Sequence, residues 1–278
     1  MPALDLATKE ALAARIRFYR DLGLTEFYRR PIAALPVEPP GPHPPDRLGA
    51  PQLASALSDT GPDQEIETIP PRKPIPIAPA VATAVKPADR TAALRVIQED
   101  IGDCTRCALH TGRHTIVFGD GSANTRLFFV GEGPGADEDA QGLPFVGRAG
   151  QLLNNMITAM GLTREVVYIA NVVKCRPPSN RTPEPDEANT CSPFLFRQID
   201  VVRPEVIVAL GATAATYLLR QRQPLAGLRG RVHAFRGSKL IVTYHPAFLL
   251  RDPRQKKEAW ADLQIAMREL GLKAPAKN

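Results

Sequence analysis

The chain predicts an α/β body built on a parallel β-sheet with helices on both faces, and three observations predict it. Four short apolar runs, LFFVG (127–131), YIANVV (168–173), EVIVALG (205–211) and LIVTYHP (240–246), are rich in β-branched and aromatic residues. Stretches with helical patterning separate them: 151–162, with Leu152, Leu153, Met156, Ile157 and Met160 at helical spacing, then 187–202 and 212–219. The runs are continuously apolar rather than alternating, as strands buried on both faces are.

Each element has a local reason. The four runs are short, and three of them end in Gly or Pro, which interrupt pairing. Ligands of such sheets sit beyond the carboxyl ends of the strands. The unusual sequences lie there: GEGPGADEDAQGLPF after the first run, KCRPPSNRTPEPDE after the second and HPAFLLRDP after the fourth.

Ahead of the body the composition changes. Of 28 prolines, 15 lie between Pro31 and Pro87. Prolines at that density fix φ, remove backbone donors and favour extended chain, so the stretch cannot hold a packed core. Residues 4–30 carry Leu12, Ile16, Tyr19, Leu22 and Leu24 near one helical face. The expected organisation is an N-terminal helical segment over 1–30, a proline-rich linker over 31–90 and the body over 91–278.

Charge divides along the same boundary. Residues 1–90 hold 11 basic and 11 acidic side chains, so the net +6 belongs to the body. Between Gly211 and Trp260 ten basic residues face two acidic ones. A basic face of that kind fits a polyanion; an ordinary solvated surface is the alternative. No apolar signal core or run of membrane-spanning length is present, so the reading is a cytoplasmic chain with no membrane partner, acting as a monomer. With 44% apolar residues and no Gly-X-Y period, collagen and a wholly disordered chain are excluded.

Cys104, Cys107, Cys175 and Cys191 give C-x2-C, 67 intervening residues and C-x15-C. In a cytosolic chain four thiolates complete one tetrahedral zinc or one [4Fe–4S] cluster, and spacing does not separate the two. The segment GEGPGADED is a glycine-rich loop but not a dinucleotide fingerprint or a P-loop: no Gly-Lys-Ser/Thr is present, and no suitable helix start follows it. Its acidic tail, Asp137 to Asp139, would engage N–H groups or water. His245 at a strand's carboxyl end, Asn171 in an apolar run and Phe145 in LPFVG are each candidate site residues with a structural alternative. An amide like Asn171 needs a buried partner or a ligand.

Together, GEGPGADEDAQGLPFVGRAGQLL, YIANVVKCRPPSNRTPEPDE and TYHPAFLLR, with the cysteines in register, resemble the family 4 uracil-DNA glycosylases over roughly residues 95–272. The resemblance implies a three-layer α/β/α fold with a central four-stranded parallel sheet. It also implies a base-excision repair enzyme that hydrolyses the N-glycosidic bond of uracil in DNA and leaves an abasic site. By motif position, Gly131, Glu132, Gly133, Pro134 and Gly135 would wrap the uracil pocket and Phe145 would stack on the flipped base. Asn171 would read its O4/N3–H edge, and His245 would donate to O2 as negative charge develops. The four cysteines would hold a [4Fe–4S] cluster, with zinc the lesser alternative. Leu249 or Leu250 would wedge into the duplex while Arg251 holds a phosphate.

The best-known uracil glycosylases carry a water-activating aspartate where this chain has Gly133. The activator is therefore Glu132, Glu138 or positioning alone. Two other readings compete: a metal-stapled nucleic-acid-binding module without catalysis, and a covalent trap for uracil-DNA. The trap needs a histidine in a basic loop after the first motif, and this chain has none between His114 and His233.

Overall fold

A computed structural model describes residues 85–273. The helix expected over 4–30 and nearly all of the linker lie outside the described residues. Six strands form one sheet: β1 (Asp120–Gly121), β2 (Leu127–Gly131), β3 (Tyr168–Asn171), β4 (Val206–Leu210), β5 (Val232–Phe235) and β6 (Ser238–Thr243). The helices are α1 (Arg90–Ile101), α2 (Ala136–Gln141), α3 (Arg148–Ala159), α4 (Pro185–Val202), α5 (Ala212–Leu219), α6 (Leu225–Leu228), α7 (Pro246–Arg251) and α8 (Lys256–Glu269).

The strand order is β1-β3-β2-β4-β6-β5, and the four expected strands β3, β2, β4 and β6 are the parallel centre. Phe129 pairs with Ile169 on one side and Val208 on the other, and Val208 pairs with Ile241. Every residue of β2 and β4 is buried, because alternate side chains enter two different cores. Phe128, Val130, Ile207, Ala209, Leu240 and Val242 pack with α1, α4 and α5. Leu127, Phe129, Val206, Val208 and Ile241 pack with α3 and α8. Two cores, one per face, make the three layers.

Two antiparallel edges extend the expected four strands. β5 folds back on β6 through Arg236 (φ 50°) and Gly237 (φ 85°), a tight turn with two left-handed residues. β1 is only two residues long and pairs with β3. Neither carries the continuous apolar run by which the central strands are recognised. Among the described residues no helix is long and apolar enough to cross a membrane.

Candidate active site

The irregular segments after β2, β3 and β6 meet at one end of the sheet in a cleft of about 540 Å³. That size falls in the range of small-molecule sites. The cleft is lined by the loop 132–138, Phe145, Asn171, Pro177, residues 180–182, His245, Phe248 and Arg251.

The loop after β2 is pinned at both ends. Val172 and Val173 donate N–H bonds to the carbonyls of Gly131 (3.0 Å) and Glu132 (3.1 Å), carrying the pairing of β2 and β3 past the strands. A Cβ at Gly133 would stand 2.8 Å from Val173 Cγ2, and one at Gly135 2.7 Å from Glu138 Oε2. No larger residue, an aspartate included, fits at 133 without moving Val173. Pro134 is buried between these glycines.

Contrary to expectation, a helix follows directly: α2 begins at Ala136 with Gly135 as its N-cap. The cap comes from inside the helix, so no Ser, Thr, Asp or Asn announces it. Glu138 Oε2 accepts the Gly135 N–H (3.0 Å), and Oε1 accepts those of Val146 (2.9 Å) and Gly147 (3.0 Å). This corrects the candidacy of Glu138 as water activator: both oxygens are engaged in joining the loop to the start of α3. Asp139 is likewise wholly buried and accepts the backbone N–H of His114 and Thr115 and the His114 ring.

Phe145 has a left-handed backbone (φ 54°), a strained state for an aromatic residue. Arg164 holds it there, donating to the carbonyls of Phe145 and Pro144 and to Asn154 Oδ1. Gly131 is where the strands' ends converge: a Cβ there would lie 2.6 Å from the Phe145 ring and 2.3 Å from Asn171 Oδ1. Asn171 is 1% exposed and its Oδ1 has no hydrogen-bond partner. An unmatched buried acceptor costs about 1–3 kcal/mol, so the protein carries it for a reason.

His245 follows β6 and caps α7, its Nδ1 accepting the Ala247 N–H (3.2 Å). That bond assigns the neutral ring's proton to Nε2. Burial pushes the imidazole pKa down to about 4, and Arg251 adds to the lowering, while Glu138 opposes it. The ring is thus a neutral donor near pH 7. Gly211 (φ 91°) permits its approach, since a Cβ there would stand 3.0 Å from His245 Cβ.

The two leucines separate cleanly. Leu249 is 1% exposed and packs in the core with α3 and α8, which corrects its candidacy as a DNA wedge. Ala247, Phe248 and Arg251 of α7 line the cleft, whereas Leu249 lies on the face turned to the core, and of the two leucines only Leu250, 36% exposed, is available. Arg251 is exposed at the cleft edge.

Cys104, Cys107, Cys175 and Cys191 line one small pocket between α1, the end of β3 and α4. The Lys174 N–H donates to Cys191 Sγ (3.3 Å), Arg113 to Cys175 Sγ (3.5 Å) and Arg106 to Cys104 Sγ (3.5 Å). Burial pushes the thiols of Cys107 and Cys175 up, and that of Cys191 to about 12. Among the described residues no three His, Cys, Asp or Glu side chains converge as ligands of a single ion.

Sequence reasoning missed several supports. Lys174 is buried, its ammonium donating to the Asn171 carbonyl (3.0 Å) and Gln198 Oε1 (2.6 Å), and burial lowers its pKa to about 8. A lysine closing the apolar run NVVKC was the available signal. Arg148, exposed at the cleft with no carboxylate partner among the described residues, and Thr213, which donates to Glu132 Oε2, carried none.

The model of the Uracil DNA glycosylase superfamily matches residues 118–264. A type-4 uracil-DNA glycosylase of Thermotoga maritima is 48% identical over 161 residues, 57% of this chain and 84% of that protein. One of Archaeoglobus fulgidus is 40% identical over 187 residues, 64% of this chain and 94% of its own length. One of Saccharolobus solfataricus is 40% identical over 189 residues, 65% and 88% respectively.

Proposed function

Because the chain belongs to the uracil DNA glycosylase superfamily, and within it to the type-4 uracil-DNA glycosylases, we propose that it removes uracil from DNA by hydrolysing the N-glycosidic bond. The product is an abasic site. The observation that carries the reading at the level of chemistry is the buried, unpartnered Asn171 Oδ1 in the cleft that Phe145 and His245 also line. Uracil offers an N3–H donor and an O4 acceptor, which an amide matches; cytosine reverses both.

The base leaves the stack at a cost of a few kcal/mol and lies against Phe145, where stacking returns roughly 1–3 kcal/mol. As the C1′–N1 bond breaks, its electron pair passes to the uracil ring and charge collects on O2. The His245 Nε2–H donates to that oxygen, and a donor so aimed is worth about 3–4 kcal/mol. A neutral imidazole suits the task, because it neither needs nor gives up a proton at neutral pH. Water adds to C1′ and loses a proton. Glu132 is the carboxylate that receives or directs it, since Glu138 is committed to three backbone amides.

The cysteines suit a [4Fe–4S] cluster, the group that the type-4 resemblance implies. Four thiol sulfurs line one small pocket and are the donor set such a cluster takes. A backbone N–H and two guanidinium groups aimed at sulfur offset thiolate charge. Such a group would tie residues 104–107 to the chain after β3 and to α4, with no part in the bond-breaking step.

The test incubates the purified full chain with a uracil-containing oligonucleotide and then cleaves abasic sites with alkali. Strand scission only with uracil is the expected result. No scission at equimolar protein overturns the reading, and an SDS-stable adduct would replace it with covalent capture. A brown protein holding iron and sulfide in equal amounts supports the cluster; a colourless one with stoichiometric zinc overturns it.

A further inference from the structure

We propose that Thr213 is a positioning residue for the hydrolytic water, acting through Glu132. The inference rests on the glycosylase reading and deepens it. The Thr213 hydroxyl donates to Glu132 Oε2 across 81 residues of sequence. It is the carboxylate's hydrogen-bond partner among the described residues, so Oε1 keeps its lone pairs for the cleft. Of the carboxylates lining the cleft, Glu138 accepts three backbone N–H bonds across its two oxygens and Asp137 is exposed with its Oδ2 against Gly147.

The setting of Thr213 is as telling as its bond. It is the second residue of α5, and the turn before it serves His245 as well. Gly211 donates its N–H to the Thr243 carbonyl (2.8 Å), fastening the end of β4 to the end of β6. Its missing side chain is what lets His245 Cβ approach. One short turn, Gly211 to Thr213, thereby sets the groups on both sides of the glycosidic bond: the donor for the leaving base and the acceptor for the incoming water. Without the hydroxyl, the glutamate's terminal torsion is broad and its two oxygens exchange places freely. The hydroxyl selects one of them, and a misplaced reacting group can cost about a hundredfold.

The experiment compares Thr213→Val, Thr213→Ala and Thr213→Ser with wild type, in single-turnover excision from a uracil-containing duplex. Wild-type excision is measured first: its absence refutes the glycosylase reading itself, whereas its presence isolates the role of Thr213. Expected for Thr213→Val and Thr213→Ala is a roughly tenfold to hundredfold fall in the excision rate at saturating enzyme. DNA affinity and melting temperature should stay unchanged, and Thr213→Ser should restore most of the rate. In a Glu132→Ala background, Thr213→Val should have no further effect. Full activity of both hydroxyl-less variants, a failure of serine to rescue, or additive losses in the double variant would each overturn the proposal. If valine prevents folding, the alanine and serine variants decide alone.

Discussion

The rings of Phe145 and His245 stand 5.6 Å apart between centroids and are tilted by 34°. One arrives on the loop after β2, strained at φ 54°, and the other on the turn after β6. Gly131 lies against the Phe145 ring and the Asn171 amide. Two rings and an amide thus line one cleft, where a flat heterocycle can meet an aromatic face and an amide edge.

Changing Asn171→Asp should relax the discrimination against cytosine, because a carboxylate offers only acceptors to the base edge. Uracil excision should fall on the order of a hundredfold. Parallel assays on uracil- and cytosine-containing oligonucleotides measure both effects. Unchanged selectivity with full activity would remove Asn171 from the base pocket.

The depressed pKa of His245 sets an acid sensitivity of the fold. Its pKa is about 4 in the folded chain against an ordinary 6.5. Between those values the unfolded chain binds a proton that the folded one does not, so stability falls as pH drops from 6.5 toward 4. The loss at pH 5 is about 2 kcal/mol, and the contribution is fully present above pH 6.5. Urea unfolding at pH 7.5 and pH 5 should show a larger loss for wild type than for His245→Asn. Equal losses would mean the ring titrates normally.

For Glu138→Gln we expect lost stability rather than a changed reaction. Glutamine cannot accept from three amides at once, since its NH2 end would face an N–H. The cost should be about 2–3 kcal/mol, read as a lower melting temperature. A reshaped pH–rate profile at unchanged melting temperature would instead return Glu138 to acid–base duty.

Leu249→Ala and Leu250→Ala should part company. The first empties a core site and should cost about 2–5 kcal/mol. The second should leave stability within about 0.5 kcal/mol but slow excision from duplex DNA more than from single strands. Equal slowing on both substrates would exclude Leu250 as a wedge.

The central sheet was legible because strands buried on both faces must be apolar throughout, and LFFVG and VIVAL can be little else. The edges β1 and β5 were not, since a half-exposed strand such as Val232–Phe235 owes its state to the neighbour it pairs with. Asn171, Phe145 and His245 were legible as residue types out of place in their segments, joined by motif order. Thr213 and Arg164 were invisible, because each matters only through a partner distant in sequence, whereas Lys174 left one trace, a charge closing an apolar run.

From sequence alone come the parallel sheet, the three segments at its carboxyl ends and the four cysteines. These follow from periodicity and residue chemistry, which act over a few neighbouring positions. Tertiary structure alone decided which carboxylate is available and which leucine is exposed. Glu138 and Glu132 lie six residues apart and are chemically alike, yet three backbone amides occupy one and a single threonine hydroxyl the other. Leu249 and Leu250 are the same residue in adjacent positions, separated by the turn of a helix against a core. Hydrogen-bond capacity and burial belong to the assembled environment, and no local pattern encodes them.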